Sequence, residues 1–402
     1  MTDHALTLNA GSSSIKFGLF ELGAAADGGP EERASGLVER IGGQAHIKAK
    51  SVAGKRIADR DLSPEESAGH GPALKAVLGL LEETFPGREI GVVGHRVVHG
   101  GPIFGAPVAV TEQVMSDLTN LEPFAPLHQP HNLAGIRAAQ EAFPKALQVA
   151  CFDTAFHRNH PWVNDTFALP RRYYDKGVRR YGFHGLSYDY IAGRLAEIAP
   201  QIHAGRVVVA HLGNGASMCG MLGGRSIGST MGFTALDGLP MGTRCGQLDP
   251  GVILYLIQQE GLSADDISDL LYKESGLLGL SGLSNDMRTL EAADTPEAAE
   301  AIDYFVFRVQ RELGALAAVL GGLDALIFAG GIGENSRTIR HRVCQTLDWL
   351  GIELDRTRNE ANEMIISTDL SRARVMVIET DEEVVIARAA ARLLSAETEA
   401  AQ

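Results

Sequence analysis

Short apolar runs break repeatedly at glycine-containing turns, and stretches with helical spacing lie between them. At the N-terminus ALTLN, AGSSS and IKFGLF read as strand, turn and strand. Segment 21–35 is rich in Gly, Ala, Asp and Glu and reads as a solvated loop. Residues 64–84 predict a helix that stops ahead of Pro86. VVGHRVVHGG is a buried strand entering a glycine turn. Residues 111–121 and 129–143 predict helices joined by the loop EPFAPLHQP, and ALQVACFDTAFH predicts a strand running into a loop.

The second half repeats this alternation. A helix is expected over 186–198, then strand, turn and strand in RVVVAHLGNGASMCGMLGGRSIGSTMG. Helices are expected over 250–260, 264–273 and 296–321. DALIFAGGIGENS reads as a buried strand, a glycine turn and a helix start. VMVIETDEEVVIARAAARLL reads as a strand and a final helix, with Thr380 or Asp381 as N-cap and a frayed tail SAETEAAQ. Strands alternating with helices indicate an α/β fold. TLNAGSSSIKFGLF and VAHLGNGASMCGML share a plan of apolar strand, Asn/Gly turn, small hydroxyl residue and second strand. The echo suggests two related halves: residues 1–155 with a returning C-terminal helix 384–402, and residues 156–383.

Composition narrows the function. The 402 residues are 45% hydrophobic and 21% charged, enough for two or three domains with sizeable cores. A net charge of −14 argues against a nucleic-acid binder, so any polyanionic ligand must meet local islands of Arg and Lys. RRYYDKGVRRYGFHG is one such island. Four scattered cysteines without a C-x-x-C pair suggest neither a zinc nor a redox site and fit a reducing cytosol. The start MTDHALTLNAGSSS has no basic segment followed by a long apolar one, so no secretory signal is expected. ALAAVLGGLDALIF is too short and broken to span a bilayer, and a cytoplasmic protein without membrane partners is expected.

Three turns could hold phosphate. In Asn9–Ser14, glycine lets backbone N–H groups approach an anion, the serines add donors, and Lys16 adds charge. Each feature also suits an ordinary Gly-Ser hairpin. It is not a Walker loop, because GxxxxGK[ST] is absent and a strand follows. HLGNGAS at 211–217 repeats the pattern, and AGGIGEN at 329–335 could rest against a nucleotide base or ribose or simply turn strand into helix. Arg96, at a buried strand's end, and Arg244, in a glycine-rich loop, each suit a carboxylate or phosphate ligand or an internal ion pair. Arg179 and Arg180 read as packing or surface residues. Asp153 closes a strand, either as a site carboxylate or as a turn cap. His184 and His128 could be functional or structural; Asp286 and Arg288 could meet a ribose or pair with each other. Glu382 could reach a magnesium ion or simply complement a helix N-terminus.

The motifs occur in one order: NAGSSSIKF, GHRVVHGG, APLH, FDTAFH, RRYGFHG, AHLGNGAS, MGTRCGQLDPG, LGLSG, SNDMR, AGGIGENS and TDEE. This series, from residue 6 to about residue 388, resembles the acetokinase family of acetate and propionate kinases. The resemblance implies two duplicated ribonuclease H-like domains of the actin, sugar kinase and heat-shock chaperone ATPase superfamily, with an interdomain cleft. It also implies ATP + acetate ⇌ ADP + acetyl phosphate with Mg²⁺ or Mn²⁺, and a homodimer. By motif, Asn9 and Glu382 would position the metal, Lys16 would act near the phosphates and Arg96 would bind the substrate carboxylate. Asp153 would be catalytic, and His184 and Arg244 would stabilise the transition state with His128 nearby. The nucleotide would meet His211, Leu212, Gly213, Asn214, Gly215, Asp286, Met287, Arg288, Gly331, Ile332, Gly333, Glu334 and Asn335. Val98, Leu127 and Phe183 would line a methyl pocket.

Some positions depart from the family pattern. Cys245 and Gln247 stand where Ser and Asp are usual, Gln129 and His131 replace Asn and Pro after APLH, and Ala235 replaces a proline near the expected methyl pocket. The smaller Ala235 suggests that a longer acid such as propionate is used. The alternatives are a propionate kinase and an actin- or chaperone-like ATPase without an acceptor; Arg96 and Arg244 speak against the latter.

Overall fold

Two sheets organise the chain. The computed structural model describes residues 4–400 apart from Ser12, Ala26, Asp27 and Leu127. Among these residues the first sheet contains β1 (His4–Ala10), β2 (Ile15–Glu21), β3 (Glu31–Glu39), β4 (His46–Ser51), β5 (Arg56–Asp61), β6 (Ile90–Val97), β7 (Val108–Ala109) and β8 (Leu147–Phe152). The second contains β9 (Arg206–Leu212), β10 (Ala216–Leu222), β11 (Arg225–Ser229), β12 (Ala325–Ala329) and β13 (Arg374–Val377). The chain divides into two compact units, residues 1–156 with 381–402, and residues 157–380.

The sheets share one plan. The first runs β5-β4-β3-β2-β1-β6-β8-β7 and the second β11-β10-β9-β12-β13. In each, three antiparallel strands are followed by two that run parallel to the third: β3-β2-β1 then β6-β8, and β11-β10-β9 then β12-β13. The echoed sequences fall on equivalent hairpins, with Asn9 opposite Lys16 in one and His211 opposite Ser217 in the other. The parallel strand β12, ALIFA, is buried at every position, as a strand covered on both faces requires.

In the first unit Leu6, Phe17, Ile47 and Val93 pack with Leu74 and Val77 of the helix His70–Thr84. Side chains alternate across a strand, so Gly94 faces the opposite side from Val93. There the final helix, Glu382–Ala400, lies so close that a Cβ on Gly94 would stand 2.4 Å from Ile386 Cγ2. Glycine at 94 thus seats the C-terminal helix on the first sheet. In the second unit the longest helix, Pro296–Leu320, begins at Thr295, whose Oγ1 accepts from Ala298 N, and ends at Gly321 with φ 72°.

Several expectations are corrected. Residues 31–35 of the expected loop 21–35 belong to strand β3, and β4 and β5 extend it into an antiparallel edge. β5 is half to fully exposed, so its apolar signal is weak. The helix expected from 64 begins at His70, because Ser63 and Glu66 close a turn by reciprocal hydrogen bonds of 2.7 and 3.2 Å. The C-terminal helix continues to Ala400 rather than fraying at 395. Residues 381–383 lie in the first unit, not the second, where Glu383 pairs with Lys16 at 2.6 Å and Glu382 faces Arg96 at 3.4 Å.

Candidate active site

In the first unit, β6 and β8 run parallel side by side, which places Arg96 and Asp153 together at the sheet's C-terminal edge. Arg96 Nε donates to Asp153 Oδ1 at 2.9 Å and Nη2 donates to Oδ2 at 2.7 Å, a bidentate fork. Its Nη1 faces Glu382 Oε2 at 3.4 Å. Asp153 is only 2% exposed. Burial pushes the Asp153 carboxyl up, and the Arg96 fork opposes that. Burial works against the Arg96 charge, but Asp153 and then Glu382 outweigh it and hold the guanidinium charged. The ion-pair alternative for Arg96 therefore holds, and the residue stands at the same sheet edge as the 9–14 turn.

That turn closes by Gly11 N donating to Ser14 O at 2.9 Å. His70 Nε2 lies 2.7 Å from Gly11 O, and Asn132 Nδ2 donates to Ala10 O at 2.8 Å. Asn132 Oδ1 also accepts from Val98 N at 3.0 Å, tying the turn to the residue after β6. Asn9 is half-buried on β1 beside Lys16 on β2. His128 begins the helix Gln129–Ala142. Gln129 is fully buried and donates through Nε2 to His99 O at 3.1 Å and to Leu118 O at 3.3 Å, so this departure from the family pattern is a structural tie. His131 stacks on His70 with ring centroids 6.0 Å apart. Leu127, expected at the methyl pocket, lies outside the described residues, as does Ser12 of the turn.

In the second unit, His184 caps the helix Gly185–Ile198 from a left-handed conformation, φ 56° and ψ 25°. Its Nδ1 lies 2.8 Å from Ser217 Oγ, and its ring stacks on His211 at 4.4 Å. Ser217 Oγ is also 2.5 Å from Tyr188 Oη. His211 Nδ1 is 2.8 Å from Ser187 Oγ, which accepts from Thr380 Oγ1 at 2.8 Å. A Cβ on Gly215 would stand 3.3 Å from His184 Nε2 and 3.9 Å from Arg244 Nη2, so both groups converge on the 213–215 turn. Arg244 Nη1 donates to Ala235 O at 2.9 Å. Its loop is pinned by Met241 N to Arg244 O at 3.0 Å and Cys245 N to Leu271 O at 3.1 Å. Phe183 is buried next to His184 in sequence.

In the same unit, the 329–335 turn abuts the 211–215 turn. Gly330 takes φ +75°, and a Cβ there would stand 2.8 Å from Leu212 O, so only glycine fits. Glu334 Oε1 accepts from Gly330 N at 2.8 Å and from Thr380 N at 3.1 Å. Gly213, Asn214, Asp286, Met287, Arg288, Gly331, Ile332 and Asn335 line one cavity of about 790 Å³. Such a volume suits a nucleotide-sized ligand. Asp286 caps the short helix Met287–Ala292 and pairs with Arg288 at 2.5 Å, which holds its carboxyl down to about 2. The pairing alternative therefore holds, within the wall of the cavity. Leu212 and Gly333 are buried beneath it.

Sequence reasoning missed Arg340, which is fully buried. Its Nη1 donates to Gly333 O at 2.9 Å and Glu334 O at 2.8 Å, Nε to Asn359 Oδ1 at 2.9 Å, and Nη2 to Asn362 Oδ1 at 2.7 Å. Burial pulls its pKa down to about 10, which leaves it charged at neutral pH. It braces the glycine turn from below. RTIRHRVC shows no signal for this beyond apolar Ile339 and Val343 beside it. Of the other departures, Gln247 accepts from Arg308 at 2.9 Å, while Cys245 Sγ lies 3.1 Å from Gly246 O. Arg179 stacks over Tyr174 and Arg180 pairs with Asp237 at 3.1 Å, consistent with packing roles.

A family model described as the acetokinase family matches residues 4–388. The acetate kinase of Methylocella silvestris is 60% identical over 398 residues, covering 98% of each chain. The crystal structure of Porphyromonas gingivalis acetate kinase is 38% identical with a TM-score of 0.87, over 98% of this chain and 100% of that one. The crystal structure of a propionate kinase from Francisella tularensis is 36% identical with a TM-score of 0.89, over 96% and 98%. The two sheets of common topology are thus the duplicated, actin-like ATPase fold of acetate and propionate kinases.

Proposed function

The chain belongs to the acetokinase family, and on that premise we propose that it transfers the γ-phosphoryl group of ATP to acetate, reversibly, giving acetyl phosphate and ADP. The observation that carries this reading is the convergence of His184 and Arg244 on the 213–215 turn, whose residues also line the 790 Å³ cavity. The cavity takes the nucleotide, with Asp286, Met287, Arg288, Gly331, Ile332 and Asn335 along its wall.

Acetate is ionised at neutral pH and needs no general base. One of its oxygens forms the new P–O bond as the bond to ADP breaks. The difficulty is bringing an anion to a polyanion, so alignment and positive charge supply the catalysis. Arg96 receives the acetate carboxylate, and Asp153 holds Arg96 in place rather than taking a proton. His184 and Arg244 meet the equatorial oxygens of the transferring group, with His128 and Lys16 supporting. The apolar side chains that the family motifs assign to the methyl group are Val98, Leu127 and Phe183.

Among the described residues no three His, Cys, Asp or Glu side chains converge as a metal cage. Mg²⁺ does not need one, since it takes one or two carboxylates and completes its shell with phosphate oxygens and water. Asn9 and Glu382 offer the hard oxygen donors that suit it, and a bound Mg²⁺ would neutralise phosphate charge. The homodimer belongs to this reading too. The helix Pro250–Gln258 has no buried residue and exposes Leu254, Tyr255 and Ile257, which supports a covering surface. No described helix is long and apolar enough to cross a membrane; a cytoplasmic setting is part of the proposal.

A hydroxamate assay with ATP, Mg²⁺ and a panel of short acids tests the reading. Acyl phosphate is expected with acetate, and with propionate at a kcat/KM within about 10-fold, the low end of the ~10–200-fold that one methylene in an apolar pocket commands, because Ala235 leaves room. Rejection of propionate by about 100-fold or more would remove the Ala235 argument. ADP release without any acyl phosphate would favour the ATPase alternative.

A further inference from the structure

We propose that His157 is a positioning residue for phosphoryl transfer, acting through its hold on the Gly182–Phe183–His184 segment. The proposal rests on the acetate-kinase reading above. His157 is fully buried and closes the FDTAFH segment, in which only Asp153 was given a role. Its Nε2 lies 3.0 Å from Phe183 O, and its Nδ1 lies 2.8 Å from Ser226 Oγ. The ring also fills the space over Gly182, where a Cβ would stand 2.7 Å from it. This contact, together with φ +72°, explains the glycine in RYGFHG.

The hydrogen bonds have a direction. A carbonyl can only accept, so His157 Nε2 carries the proton. Burial pushes the imidazole down to about 3, so the ring is neutral and Nδ1 must accept from the Ser226 hydroxyl. His160 Nε2, 2.6 Å from Ser226 Oγ, then donates to that oxygen. His160 Nδ1 is buried without a hydrogen-bond partner, as a bare lone pair in that tautomer would be. The order is His160 to Ser226, Ser226 to His157, and His157 to the Phe183 carbonyl. Each polar contact fixes the next.

Two routes lead from His157 to His184. One is the Phe183–His184 peptide itself. The other is the Tyr188 ring, edge-on to His157 at 5.5 Å, whose hydroxyl meets the Ser217 oxygen that also bonds His184 Nδ1. His184 is a non-glycine residue in the left-handed region, and such a conformation persists only where neighbours over-determine it. His157 contributes to that determination through the Phe183 carbonyl.

The test compares His157→Leu, His157→Gln and Ser226→Ala, after acetyl phosphate formation by the parent enzyme has been shown; failure at that first step would concern the assigned reaction, not His157. His157→Leu keeps the volume and removes both hydrogen bonds, whereas His157→Gln retains a donor and an acceptor at similar spacing. Expected for His157→Leu is a kcat about 30-fold lower with the KM for ATP within about twofold. His157→Gln is expected to recover to within about fivefold of the parent. Ring ¹⁵N spectra, assigned with His184→Ala, should show the His184 signals moved in His157→Leu and in place in His157→Gln. A His157→Leu enzyme within twofold of the parent kcat, or one with lowered kcat and unmoved His184 signals, would overturn the proposal. If His157→Leu does not fold, Ser226→Ala carries the same test: about fivefold lower kcat with shifted His184 signals supports it, and unshifted signals overturn it.

Discussion

Arg244→Ala is expected to lower kcat by about 10²–10³-fold while leaving the KM for ATP within about threefold, the scale seen when one preorganised transition-state donor is removed. The prediction comes from where Arg244 sits. The residue lies in the turn 241–244, closed by a backbone hydrogen bond of 3.0 Å and flanked by the Cys245–Leu271 contact. Gly276, at φ +63°, presses so closely that a Cβ would stand 2.7 Å from Arg244 O. The backbone is therefore fixed before substrate arrives, and Ala235 O orients the guanidinium through Nη1. Its Nη2 reaches toward Gly215. In the proposed reaction a cation so placed would meet charge that develops on the transferring group, so its loss is expected to fall on kcat. Steady-state kinetics with ATP varied at saturating acetate measures the split. A rise in KM for ATP with kcat retained would make Arg244 a binding residue only.

Arg340→Met is expected to destabilise the fold by about 3–5 kcal/mol, since it orphans several buried acceptors at ~1–3 kcal/mol each. For a unit of this size that corresponds to a fall in Tm on the order of 10 °C. Gly333 O, Glu334 O and Asn359 Oδ1 would each lose a donor, and Gly333 and Asn359 are buried away from water. Methionine fills part of the volume, which isolates the hydrogen-bond loss from a cavity. Because two of the orphaned carbonyls belong to the glycine turn, the KM for ATP should rise several-fold alongside the loss of stability. Thermal unfolding by calorimetry, with and without ATP, tests both; a Tm within about 2 °C of the parent would contradict the bracing role.

How much of this was legible in the sequence depended on burial and on distance along the chain. Strands buried on both faces, such as ALIFA in β12, announce themselves as continuous apolar runs. The strands β3 to β5 do not, because one face meets solvent and charged residues interrupt the pattern; β4 reads HIKAKS with only Ile47 and Ala49 buried. The Asn/Gly hairpins were readable because the same plan occurs twice, and the two sheets place them at equivalent positions. Arg96 was readable as a charge in a poor place for one, but its partners were not: Asp153 and Glu382 come to it from β8 and from the last helix. His157 and Arg340 escaped for the same reason. A histidine ending a short 3₁₀ turn and an arginine on a polar helix carry no mark of full burial, and key partners such as Ser226 and Asn362 lie far away in sequence. Asp286 and Arg288, two residues apart, were a local pair and readable as such.

Single-turnover rapid quench with γ-³²P-labelled ATP, Mg²⁺ and acetate tests the central claim most directly. Direct transfer predicts that labelled acetyl phosphate and ADP appear together, in equal amounts and at one rate, with no label held on the protein. ADP forming ahead of acetyl phosphate with a kinetically competent phosphoprotein, or ADP and inorganic phosphate with no acetyl phosphate at all, would contradict it.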